Sequence, residues 1–254
     1  MPSAASDTPR LPRLHCTGAL APDQTLALPD GAARHAQVLR LQPGDRITLF
    51  DGRGGEYGAL VTQMGRREVL VWIEAHESVE RESRRALHLA VGIPANERMD
   101  WLVEKATELG AASIQPLLAQ RSVVRLQGER AARRQLHWQA IAVAACEQCG
   151  RNRVPLVHEP QELPTWLQAL GQPASTAAHA AGERWLLSLD PQAHTPPLPL
   201  TSDAAITVLS GPEGGFSQAE EAAARAAGFQ PVTLGVRVLR ADTAPVLALA
   251  RWAD

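Results

Sequence analysis

The sequence predicts an α/β fold in two parts: a small β-barrel or sandwich followed by a larger domain with a mostly parallel sheet. Three observations carry this. Residues 14–73 hold short strand signals separated by turn residues at close spacing. A charged, non-periodic stretch, HESVERESRR at 76–85, interrupts the chain, and after it strand signals alternate with helical ones. Near the C-terminus, two apolar runs each stop at a glycine-bearing loop that leads into a helix. The expected organisation is a floppy tail over 1–9, a β-rich domain over 10–76, a linker over 77–84 and an α/β domain over 85–254.

The elements follow in order. The turn Pro29-Asp30-Gly31 separates a strand at 26–28 from a short helix at 32–39. Pro43-Gly44-Asp45 turns into a strand at 46–50, and two more strands are expected at 56–62 and 68–73. Beyond the linker, 85–93 reads as a strand. A helix over 96–109 is capped by Asn96, carries Met99, Leu102, Val103, Ala106 and Leu109 at helical spacing, and is closed by Gly110. A strand at 113–118 precedes a long helix over 129–148, whose basic face carries Arg130, Arg133 and Arg134. Strands at 154–157 and 185–189 flank a helix at 162–170 and an Ala- and Pro-rich loop at 171–182.

At 254 residues, 45% apolar and 20% charged, the composition is that of an ordinary globular protein. No run approaches the ~18 apolar residues of a membrane span, and the first residues lack the apolar core of a secretory signal. Three cysteines, Cys16, Cys146 and Cys149, are too few and too odd in number for a disulfide scaffold, so the cytosol is the expected compartment. The net charge of −2 is unevenly spread. Residues 81–153 carry 12 basic and 7 acidic side chains, whereas residues 154–254 carry 5 and 10. A basic middle fits either a phosphate-facing surface or a solvated helical face.

Two loops organise the chemistry. In Leu209-Ser210-Gly211-Pro212-Glu213-Gly214-Gly215 the glycines permit close backbone approach to a ligand. Ser217 with Glu220 forms a capping box that fixes the start of the next helix. The loop lacks the lysine and hydroxyl of a phosphate-binding loop, and Glu213 adds a negative charge, so polyphosphate is disfavoured. A ligand with hydroxyls, amides and a positive centre suits it better. The second loop, Leu234-Gly235-Val236-Arg237-Val238-Leu239-Arg240, ends where Asp242 or Thr243 can cap the last helix. Arg237 and Arg240 sit ahead of a helix N-terminus, where positive charge is unfavourable, which points to an anionic partner. In Cys146-Glu147-Gln148-Cys149-Gly150-Arg151-Asn152-Arg153, the two cysteines close a helix instead of opening one and no second pair follows. Metal and redox roles are therefore disfavoured. The polar cluster itself suits RNA or a subunit partner.

Taken together, Gly211-Pro212-Glu213-Gly214-Gly215-Phe216-Ser217 with Glu220, Leu234-Gly235 and Arg237-Val238-Leu239-Arg240 with Thr243-Ala244 resemble the RsmE family of ribosomal RNA uridine-N3 methyltransferases, within the SPOUT superfamily. Residues 144–151, 105–110 and 10–13 match its pattern too, and Asp242 stands where the family usually has glutamate. The resemblance implies a PUA-like β-barrel followed by a SPOUT-type trefoil-knotted α/β domain, a homodimer, and no metal or membrane. It implies S-adenosyl-L-methionine as cofactor, held by Leu209, Ser210, Gly211, Pro212, Glu213, Gly214, Gly215, Leu234, Gly235, Val238, Leu239, Arg240 and Thr243. The implied substrate is a uridine of 16S rRNA in the 30S subunit. Arg240 is then expected to stabilise the ionised base, with Arg151 and Glu147 as further catalytic residues. Arg10, Arg13, Arg121, Arg130, Arg133, Arg134 and Arg153 are expected to position RNA. Two alternatives keep the motifs: a methyltransferase for another RNA base, and a non-catalytic RNA-binding assembly factor.

Overall fold

A computed structural model describes residues 11–95, 97–170, 182–190, 192–198, 200 and 202–253. The expected tail, Arg10, the Asn96 cap and nearly all of the 171–182 loop lie outside the described residues. The chain divides into two compact units, one formed by Met1–Arg81 with Cys146–Val154, the other by Glu82–Ala145 with Pro155–Asp254.

The first unit contains β1 (Arg13–His15), β2 (Gln24–Ala27), α1 (Asp30–Val38), β3 (Arg46–Phe50), β4 (Glu56–Met64) and β5 (Val69–Glu77). Its sheet runs β1-β3-β4-β5-β2, with β1 parallel to β3 and the other pairs antiparallel. Alternation along β3 to β5 sends Ile47, Leu49, Val61, Val69, Val71 and Ile73 inward against Ala32, Ala33 and Ala36 of α1. Each buried branched side chain contributes roughly 1.5–3 kcal/mol. Register shifts at Gly58/Ala59 and Val61/Gln63 bend β4 as bulges do.

The segment 146–154 belongs to this unit and is locked into it. Fully buried Asn152 accepts a hydrogen bond from Arg13 Nη2 at 2.5 Å and donates to the Val79 carbonyl at 2.7 Å. Glu147 accepts from the His15 amide at 2.9 Å and lies 3.0 Å from His35 Nδ1. Arg13 also pairs with Glu56 at 2.6 Å and stands over the Phe50 ring, 5.0 Å from its centroid. Arg13 therefore differs from the phosphate contact expected of it: its guanidinium is spent inside the unit.

The second unit holds β6 (Leu87–Gly92), α2 (Arg98–Glu108), β7 (Ala111–Leu118), α3 (Gly128–Cys149, whose last turn falls in the first unit), β8 (Leu156–Val157), β9 (Gln161–Glu162) and α4 (Leu163–Leu170). After these come β10 (Glu183–Leu187), β11 (Ile206–Ser210), α5 (Gln218–Ala226), β12 (Gln230–Val232) and α6 (Thr243–Trp252). The sheet order is β12-β10-β11-β6-β7-β8, with β9 also on β7, and every pair is parallel. Strands covered on both sides read as unbroken apolar runs, and every residue of β6 and β11 is buried. Ala90, Leu186 and Leu209 pack with Trp166, Leu167 and Leu170 of α4 and Ala224 of α5. α6 packs on β6, β11 and α2, and Trp252 meets Trp185 edge-on at 4.7 Å.

Candidate functional site

The site forms where the sheet releases three neighbouring strands. The carboxyl ends of β10, β11 and β12 open into loops at 187–189, 210–217 and 233–241, and a cavity of about 390 Å³ lies among them. Open parallel sheets place ligands in this position, beyond the carboxyl ends of their strands.

The first loop is held from several directions. Gly215, at φ +66°, donates its amide to the Pro212 carbonyl at 2.8 Å. Arg121 Nη1 donates to the carbonyls of Gly214 at 2.9 Å and Phe216 at 3.3 Å. Ser217 and Glu220 make both bonds of the expected capping box, and Glu220 also accepts from the Gln120 amide at 2.7 Å. Arg121 thus acts as a strut of the glycine loop, which accounts for a residue read in the sequence as an RNA contact. Glu213 accepts from the Ala95 amide at 2.8 Å and lies 3.5 Å from Arg98 Nη1. Its charge is stabilised locally before any ligand arrives.

The second loop turns at Gly235, whose φ of +122° is open to glycine and strained for other residues. Arg251 Nη1 on α6 reaches back to the Leu234 carbonyl at 3.3 Å. The expected side-chain cap of α6 is absent. Asp242 occupies the N-cap position in a helical conformation (φ −80°, ψ −33°) and makes no cap bond. The carbonyl of Arg240 accepts from the amides of Thr243 and Ala244 at 3.0 Å instead, so the helix start fixes the backbone of Arg240 at the cavity edge. Asp242 Oδ1 is buried without a hydrogen-bond partner. Arg237 and Arg240 are exposed cavity residues with no ion-pair partner among the described residues.

Of the expected cofactor residues, Ser210, Gly211, Pro212, Glu213, Gly215, Leu234, Gly235, Val238, Leu239 and Arg240 line the cavity. Leu209 lies beneath it in the buried strand, Gly214 faces Arg121, and Thr243 begins α6. Sequence reasoning missed Arg98, Leu187, Ser188, Leu189, Thr233, Ala241 and Ala244. The end of β10 was recoverable from the rule that parallel strands deliver ligand contacts at their carboxyl ends; Arg98 carried no local signal.

Neither Arg151 nor Glu147 lines this cavity. Arg151 is only 4% exposed and Glu147 is held by His15 and His35, both in the first unit. Arg153 pairs with Glu80, whereas Arg130, Arg133 and Arg134 stand exposed on α3. None of the three cysteines is in a disulfide, and burial followed by the Glu147 charge pushes the Cys16 thiol up to about 12.

Comparison with known proteins decides the family. A model described as an RNA methyltransferase domain matches residues 81–253, and one described as an RNA methyltransferase PUA domain matches 28–74. The ribosomal RNA small subunit methyltransferase E of Synechocystis sp. is 33% identical over 239 residues, covering 91% of this chain and 75% of that protein. The chain belongs to the ribosomal RNA small subunit methyltransferase E family.

Among solved members of this family, the Neisseria gonorrhoeae protein bound to S-adenosyl methionine is 36% identical, with a TM-score of 0.84, covering 95% of this chain and 96% of that one. A Legionella pneumophila protein in complex with the same cofactor is 33% identical, with a TM-score of 0.83 over 95% and 96% of the two chains. The family thus assigns the α/β unit to the SPOUT methyltransferase fold and the five-stranded unit to its PUA-like domain.

Proposed function

We propose that this chain transfers the methyl group of S-adenosyl-L-methionine to N3 of a uridine in 16S rRNA of the small ribosomal subunit. The observation that carries this reading is the cavity itself, with a free Arg240 pinned through its backbone at the rim.

The residues present fit the cofactor. Leu187, Leu189, Leu234 and Leu239 offer apolar walls to an adenine ring, and the backbone around Gly211 and Gly235 offers hydrogen-bonding edges. Glu213 places a carboxylate among the lining arginines Arg98, Arg237 and Arg240, a mixture of charges suited to a ligand that carries both a sulfonium and a carboxylate. When bound, the cofactor supplies an electrophilic methyl carbon on a sulfonium.

The protein's task is then to make uridine N3 a nucleophile. That nitrogen carries a proton whose acidity lies on the order of two units above neutrality, each unit costing about 1.4 kcal/mol. Arg240 lowers the cost by placing positive charge against the anion spread over O2 and O4, and the N3 proton leaves to water. Because Arg151 and Glu147 are engaged within the first unit, we assign the electrostatic role to Arg240 alone.

The reading includes a homodimer in the cytoplasm and a trefoil knot. Val236 and Val238, 99% and 79% exposed beside the cavity, support the dimer as apolar residues that a second copy would cover. The return of the chain from edge strand β12 to α6, packed on β11 and β6, supports the knot. No described helix is long and apolar enough to cross a membrane. The test is transfer of labelled methyl to 30S particles by wild type and Arg240→Ala. The variant should keep cofactor affinity within a few-fold and lose at least ~100-fold in turnover. Wild-type turnover by the variant would refute the assigned role.

A further inference from the structure

Two arginines outside the cofactor cavity each hold one of its loops by the backbone. Arg121, in the loop after β7, donates from Nη1 to the carbonyls of Gly214 at 2.9 Å and Phe216 at 3.3 Å. Arg251, in the last turn of α6, donates to the Leu234 carbonyl at 3.3 Å. Neither side chain lines the cavity, whereas Pro212, Glu213 and Gly215 on the first loop and Leu234 and Gly235 on the second do. Neither arginine has an ion-pair partner among the described residues. Their positive charge is directed at loop carbonyls.

Arg121 stands on a braced segment. Arg125 donates to the carbonyls of Ala119 and Gln120, both at 3.0 Å, and Ser122 Oγ accepts from the Ala119 amide at 3.0 Å. The Gln120 amide meets Glu220, which also closes the capping box of α5. The glycine loop rests on the aliphatic stem of Arg121 as well, since a Cβ on Gly214 would stand 3.0 Å from the Arg121 Cβ. Hydrogen bonds from a charged donor are stronger than those from a neutral one. A fixed guanidinium against a glycine-rich backbone therefore limits the shapes that backbone can take.

We propose that Arg121 and Arg251 are positioning residues for S-adenosyl-L-methionine, each keeping one cofactor loop in its binding shape from outside the cavity. The proposal deepens the proposed function and rests on its cofactor, and it moves Arg121 from the RNA contacts to the cofactor site. A loop fixed in advance spares the ligand the cost of ordering it, so the struts act on affinity without touching the ligand. Arg121, with two bonds and a packed stem, carries the larger share; Arg251 makes a single longer bond.

The test is calorimetric titration of the full chain, without RNA, with S-adenosylmethionine and separately with S-adenosylhomocysteine. Arg121→Met keeps a stem against Gly214 and removes the donors, and it should weaken both ligands by about 10-fold. Arg251→Met should weaken both by about 3-fold. Arg121→Lys restores a charged donor and should recover part of the affinity lost in Arg121→Met. Each cofactor-free variant should melt close to wild type, because the effect lies in the loops and not in the core. Wild-type affinity in Arg121→Met would overturn the proposal for the first loop, and in Arg251→Met for the second. A loss confined to S-adenosylmethionine would mean direct contact with the sulfonium, and lower melting without weaker binding would mean a role in the fold alone; either overturns it. Affinity is read without RNA or methyl transfer, so a wrong target base leaves these outcomes unchanged. Wild-type protein that binds neither ligand would instead sink the proposed function.

Discussion

At Gly92 a single missing methyl group sets how closely the first glycine loop can approach β6. A Cβ there would stand 2.5 Å from Pro212 Cδ and 2.6 Å from Pro212 N, contacts that only a backbone shift relieves. The end of β6 and the first glycine loop therefore approach as closely as they do because residue 92 has no side chain. Gly92→Ala should destabilise the fold by about 1–3 kcal/mol through overpacking and weaken S-adenosylmethionine binding, read by thermal melting and calorimetry. Unchanged melting and affinity would mean that the loop yields freely. Some of this scale was legible in sequence: the Ser217–Glu220 box was, because both its partners are local. The Asp242 cap was misread, since its failure depends on the Arg240 carbonyl reaching the first amides of α6.

Elements were more legible than their company. The strand expected at 46–50 is β3 as observed, and α2 buries Met99, Leu102, Val103 and Ala106 as its spacing required. Helical and alternating periods are local properties that survive without knowledge of neighbours. Membership of 146–154 in the first unit was not legible, because it is set by Asn152, Glu147 and Arg13 meeting across more than 130 positions of sequence. Those contacts also explain why an arginine-rich string misleads when read as a surface: Arg13 and Arg151 are buried. The cavity was partly legible for a related reason. Its two loops announce themselves by glycine, whereas the end of β10 joins them only through the strand order β12-β10-β11.

For the whole molecule, the two units should lose stability in different pH windows. In the first, burial alone would raise the Glu56 carboxyl, but hydrogen bonds from Arg81, Arg13 and Asn152 outweigh it and bring the group down to about 2. Its contribution, on the order of 2–3 kcal/mol, is present above the unfolded value near 4.5 and is lost as pH falls toward 2. In the second, burial and then the His158 charge lower His88, 2.8 Å from Ser113 Oγ, and burial lowers His158. These neutral imidazoles favour the fold fully above about 6.5, and the contribution declines as pH falls below it because the unfolded chain takes up the protons. Urea denaturation against pH should show both declines. Glu56→Gln should remove the lower one and keep the upper, and a variant with the wild-type profile would contradict the assignment.

The proposed reaction joins the scales: a cavity at three strand ends, completed by a backbone-fixed arginine, methylates N3 of a uridine in small-subunit rRNA. Mass mapping of nucleosides in 16S rRNA from cells lacking this protein, with and without a restored copy, tests it directly. 3-Methyluridine should disappear in its absence and return with the wild-type chain but not with Arg240→Ala. A 3-methyluridine signal unchanged by the deletion would contradict it.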